Sequence, residues 1–190
     1  MALLILGILL WVLPHLAKRI VPGFHRSLMG SEKPMVAGLV VVGVLLMIVG
    51  YRMAAVVPLY TPLPGMGHAN NTLMLISVYM FGVGGARSLL VDKIRHPMLW
   101  GMVIWAVAHL LVNGDLASVL LFGGLGVWAV TEMVLINRAA PWKRPKPGSI
   151  GGDIKNLIGT AAIFGIAVWV HSLDPEEHTS ELQSPNTISY

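Results

Sequence analysis

Six histidines carry most of the ligand chemistry this chain offers: His15, His25, His68, His96, His109 and His171. A seventh, His178, falls in a C-terminal stretch of different character and is set aside. His25 lies in a charged loop and reads as solvated. The other five stand in, or at the ends of, long apolar runs. An imidazole inside such a run must find a partner, which makes it a functional-site candidate. There is no cysteine, so thiolate metal sites, disulfides and cysteine nucleophiles are excluded. No His-x-x-x-His or Glu-x-x-His pair occurs within a run, so the ligands of a zincin or di-iron carboxylate site are not set on one helix face. Glu132 is the one carboxylate inside a run, which argues against a multi-carboxylate proton relay. Neutral imidazoles on different helices, with few carboxylates, suit a haem better than a hard metal: haem needs axial nitrogens from facing helices and an apolar pocket. The competing reading of each histidine is a hydrogen-bonded structural group.

The elements that must position these residues are apolar helices. The chain has 190 residues, of which 55% are hydrophobic and 12% charged, with mean hydropathy +0.73. Soluble domains carry about 25% charged residues. The composition predicts an all-α, polytopic transmembrane helical bundle of about six spans, near residues 2–17, 35–53, 72–90, 97–112, 116–136 and 154–170. The most informative stretch runs from Arg95 to Asp115. Pro97 suits a helix start, His109 lies deep in the run, and Asn113-Gly114-Asp115 is a turn that makes spans four and five a hairpin. Pro14 is expected to kink span one. Asn70 or Asn71 is expected to cap span three. Gly38, Gly43, Gly50, Gly82, Gly84, Gly85, Gly123, Gly124 and Gly126 favour close helix approach. The tryptophans read as interface anchors and packing groups.

The positive residues lie between the runs, where they set topology; the net charge of +4 is no nucleic-acid signal. With the first residue outside, 12 of the 13 basic residues fall on the cytoplasmic side and only Arg52 lies outside. Both termini are therefore expected to be periplasmic. On that drawing His15 and His96 lie towards the cytoplasmic side, and His109, His68 and His171 towards the outer side. His109 lies about 20 Å from His96 along a straight helix. Depth alone would then pair His15 with His96, and His109 with His68 or His171. The domain is expected to occupy residues 1–171. The tail, 172–190, reads as disordered, and from about Glu176 it resembles translated adapter sequence rather than native chain.

The pattern His96-Pro97-Met98-Leu99-x-Gly-x-x-x-Trp105-x-x-x-His109-Leu110-x-x-Asn113-Gly114-Asp115, followed by Leu121-Phe122-Gly123-Gly124, resembles the NnrU family. So do His15-Leu-x-Lys18-Arg19, Gly50-Tyr51-Arg52 and His68-x-Asn70-Asn71. The resemblance implies a bacterial inner-membrane helical bundle linked to nitrite and nitric oxide metabolism during denitrification. It is also similar to plant zeta-carotene isomerase, an integral membrane haem b protein that isomerises a cis double bond. By that likeness His15 and His109 are the axial haem candidates, with His96, His68, Trp105 and Asn113 as further candidate site residues. Ala106 stands where the isomerase has a cysteine, and Met98 where it has a glutamine. The partners implied are the lipid bilayer and, for an isomerase, a hydrophobic polyene. A third reading is a non-enzymatic assembly or accessory protein in which the histidines only hold the bundle together.

Overall fold

The computed structural model describes residues 1–21, 23 and 33–173, with the side chains of 33–35 also outside the description. His25, the rest of that charged loop, and the tail with His178 lie outside the described residues. Among the described residues the chain forms six helices: α1 (Ala2–Ile20), α2 (Lys33–Arg52), α3 (Met66–Ala86), α4 (Pro97–Leu110), α5 (Leu116–Ala139) and α6 (Ile150–Ser172). Within α5 the segment Val119–Gly123 is wound as a π-helix.

The helices pack in the spatial order α2, α1, α5, α4, α3, α6. Their directions follow from which residues meet. Gly7 lies against Gly43 and Met47, and Gly50 against Leu4, so α1 and α2 are antiparallel. His15 faces Trp128 and Arg19 meets Glu132 at the same separation of 113 residues, so α1 and α5 run in parallel. His96 bonds Asn137 while His109 stacks on Phe122, so α4 and α5 form an antiparallel hairpin. Ser149 bonds Arg87 and Asn156 bonds Tyr79, so α6 is antiparallel to α3. The alternation gathers Lys18, Arg19, Arg87, Lys93, Arg95, Arg138 and Lys155 at one end, and leaves Arg52 at the other.

Among the described residues three helices, α1, α5 and α6, are long and apolar enough to cross a membrane. Val36–Arg52 within α2, and α4, are apolar but shorter. The six expected spans thus correspond to six helices, of which three meet the length and composition of a span. Leucines, isoleucines and valines on α1, α2 and α6 point outward; Leu13, Ile166 and Trp169 are each about 60% exposed. A surface of that kind suits lipid rather than water.

Local signals fix the ends. Asp115 caps α5 by accepting from Ser118 N at 3.0 Å, and Ser149 caps α6 by accepting from Gly152 N at 3.0 Å. Pro97 takes the first position of α4. The third helix departs from expectation. It begins at Met66, so His68, Asn70 and Asn71 lie inside it rather than before it. The physical reason is Gly65, whose φ of +79° turns the chain directly into the helix. The helix also stops early, at Ala86, because Arg87 adopts a left-handed conformation and its N–H returns to Gly84 O at 3.3 Å. Pro14 is buried within α1 and the helix continues past it to Ile20.

At the end away from the basic residues, the loop before α3 is strapped to the α4–α5 turn. Leu59 N and Tyr60 N donate to Gly114 O at 2.8 and 3.0 Å, and Leu116 N donates to Val57 O at 2.8 Å. The Tyr60 hydroxyl donates to Asn113 O at 2.7 Å and to Leu110 O.

Candidate haem-ligand site

His15 and His109 reach the same helix from opposite sides. α1 and α4 both pack on α5, and glycines on α5 serve both contacts: Gly124 faces Ile8 of α1, and Gly126 faces Ala106 of α4. His15 stacks on Trp11, one turn earlier, with ring centroids 4.9 Å apart, and meets Trp128 edge-on at 5.2 Å. His109 stacks on Phe122 at 4.3 Å, with the rings inclined by 21°, and Trp105 lies 4.8 Å from both rings. Phe122 belongs to the π-helical segment, a local unwinding that recurs at functional sites. Tyr51 of α2 touches Phe122 from behind at 5.9 Å.

The imidazoles are oriented by the same device. His15 Nδ1 lies 2.6 Å from Trp11 O, and His109 Nδ1 lies 2.9 Å from Trp105 O. A carbonyl oxygen only accepts, so each Nδ1 carries the proton. In the neutral ring Nε2 then keeps its lone pair, the form in which a histidine ligates a metal. Asn113 acts one step removed: its backbone N–H and its Nδ2 both donate to His109 O at 2.9 Å, closing the last turn beneath the imidazole.

The remaining candidates do not join these two. His96 lies at the far end of α4, where its Nε2 is engaged with Asn137 Oδ1 at 2.9 Å. His68 is exposed in the first turn of α3, and its carbonyl accepts from Thr72. His171 is exposed near the end of α6, with Nδ1 bonded to Ala167 O.

The heights along α5 bear on the pairing drawn from depth. His109 stands level with residue 122, His15 with 128 and His96 with 137. At 1.5 Å per residue, His15 is offset from His109 by about 9 Å and from His96 by about 13 Å. The ends of the apolar runs misplace it because Arg19, at the basic border of α1, meets Glu132 within α5, more than a turn short of Asn137, where His96 stands.

Two features of the site were not read from the sequence. Arg19 Nε donates to Glu132 Oε1 at 2.7 Å, an ion pair between helices far apart in the chain. The signal available was Glu132 itself, a lone carboxylate in an apolar run that requires a partner. Trp11 and Trp128, read as packing groups, wall in His15, and their buried indole N–H groups have no acceptor among the described residues.

In donor chemistry the residues suit a haem: two neutral imidazoles with free Nε2 atoms, held by backbone carbonyls and flanked by aromatic rings. Their placement does not assemble one site: the rings meet α5 from opposite sides and about 9 Å apart in height, so one iron would take both only after α1 and α4 move. No curated protein and no solved structure matches the chain. A family model described as NnrU protein matches residues 3–173, nearly the whole sequence and all six helices. The chain therefore belongs to the NnrU family.

Proposed function

We propose that this protein binds haem b with His15 and His109 as axial ligands, α1 and α4 moving against α5 to bring the two imidazoles to one iron, and serves nitrite and nitric oxide metabolism in the bacterial inner membrane. The observation that carries the ligand assignment is the shared orientation of the two imidazoles. Both give Nδ1–H to the carbonyl four residues back, and both keep Nε2 for a metal. His171 is oriented in the same way, through Ala167 O, but lies exposed near the end of α6; His96 commits its Nε2 to Asn137, and His68 lies exposed. When bound, the haem would supply an iron centre for electron transfer or for binding a small ligand. The chain's own residues then hold and shield it: Trp105 and Phe122 pack on His109, Trp11 and Trp128 pack on His15, and Asn113 fixes the end of α4. Family membership supports the link to denitrification.

Isomerisation of a polyene is the second reading, supported by Pro97 and Trp105. It is weakened at Ala106, which is 3% exposed and packed towards Gly126. No thiol is available there to exchange with an axial histidine. In the bilayer we place the basic ends of the helices in the cytoplasm, with both termini in the periplasm.

The test is haem titration of the detergent-purified chain followed by absorbance. The reading expects a Soret band saturating at one haem per chain and lost in His15→Ala and His109→Ala. A chain that takes up no haem would leave the assembly or accessory role in front. An unchanged band in both variants would overturn the ligand assignment.

A further inference from the structure

Three buried polar atoms on the α1–α5 seam have no hydrogen-bond partner among the described residues: Trp11 Nε1, Trp128 Nε1 and Glu132 Oε2. Trp128 and Glu132 are each only 6% exposed. They stand four residues apart on α5, and so share a face one turn from each other. His15 and Arg19 repeat that spacing on α1, and the two pairs face one another: His15 against Trp128 at 5.2 Å, and Arg19 bonded to Glu132 at 2.7 Å. Trp11 closes the seam above, edge-on to Trp128 at 5.4 Å.

The chemistry of the three atoms selects what sits among them. An indole N–H only donates, and an ionised carboxylate only accepts. A cation meets two N–H donors and the Arg19 guanidinium. An anion meets the Glu132 carboxylate. A small neutral molecule that both donates and accepts satisfies all three, and buried water characteristically makes about three such bonds. We propose that the seam holds ordered water bridging the Trp11 and Trp128 indoles to Glu132 Oε2. The mouth of this site is Arg19, at the basic end, where its side chain is 36% exposed. Water held there would link His15 to the basic end through Arg19. The proposal does not rest on the cofactor reading, because the orphan atoms belong to the protein.

The test is NMR of the full chain in lipid nanodiscs, with the tryptophan indoles labelled with nitrogen-15 and two signals assigned by Trp11→Phe and Trp128→Phe. Cross-peaks from each indole proton to water are recorded in the unmutated chain and in an Arg19→Leu/Glu132→Leu variant, which removes the carboxylate without stranding its partner. The proposal expects water cross-peaks at both indoles, and exchange at least tenfold slower in the double variant. Indoles with no water cross-peak in the unmutated chain would overturn it. So would exchange rates that the double variant leaves unchanged.

Discussion

Breaking the Arg19–Glu132 pair from its two sides should give unequal costs. The side chain of Glu132 is 8% exposed and that of Arg19 is 36% exposed. Arg19→Leu strands a carboxylate between α1 and α5, where desolvation is severe. Removing one partner of a buried pair costs 3–5 kcal/mol, and we take the low end, about 3 kcal/mol, because the arginine side of the seam is open. Glu132→Leu leaves an arginine whose long side chain can swing into water. That loss resembles an exposed pair, about 1 kcal/mol. The double variant replaces the pair by apolar groups and should fall within about 1 kcal/mol of the unmutated chain. The coupling energy is then about 3 kcal/mol, or roughly a hundredfold in the folding equilibrium. The assay is reversible unfolding of all four proteins in mixed micelles. Equal costs for the two single variants, or costs that simply add in the double, would refute the claim that Glu132 is buried and depends on Arg19.

Three further outcomes follow from the structure. Gly50→Ala would drive a Cβ into backbone, with Leu3 C and Leu4 Cα at 2.8 Å; the overpacking should outweigh the helix-propensity gain of about 1 kcal/mol and leave a net loss of about 1–2 kcal/mol. Gly84→Ala meets nothing within 4 Å, so the same gain stands unopposed and thermal unfolding should move upward. Asp92, in the link before α4, accepts from Lys93 Nζ at 2.9 Å, and that bond, aided by the charges of Lys93 and Arg144, holds its carboxyl below the ordinary value of 3.8. Its contribution to stability is therefore present above pH 3.8 and lost as pH falls through the lowered value. Carboxyl carbon NMR should show the depressed midpoint, and Lys93→Met should raise it.

The helices were legible because uncharged apolar runs of this length have few alternatives, and the α4–α5 hairpin because Asn-Gly-Asp is a strong turn. The boundaries of α3 were not, because they depend on backbone conformations at Gly65 and Arg87 that composition does not fix. The sequence marked His15 and His109 as candidates, yet misplaced the depth of His15 relative to His96: height was counted from the charged ends of the runs, and those ends are not level, since Arg19 meets Glu132 and His96 meets Asn137. The Arg19–Glu132 pair joins residues separated by 113 positions, so only the folded seam identifies it. The tryptophans around His15 could not be told from lipid anchors until α5 placed Trp128 inside and α6 left Trp169 exposed.

Electron paramagnetic resonance of the haem-loaded, oxidised protein tests the central claim most directly, because it reports the ligands on the iron. Two axial imidazoles, His15 and His109, predict a low-spin ferric signal that turns high-spin, or disappears with the haem, when either is changed to alanine, and that survives His96→Ala and His68→Ala. A high-spin signal in the unmutated protein, or a low-spin signal abolished by His96→Ala and indifferent to His15→Ala, would contradict the account.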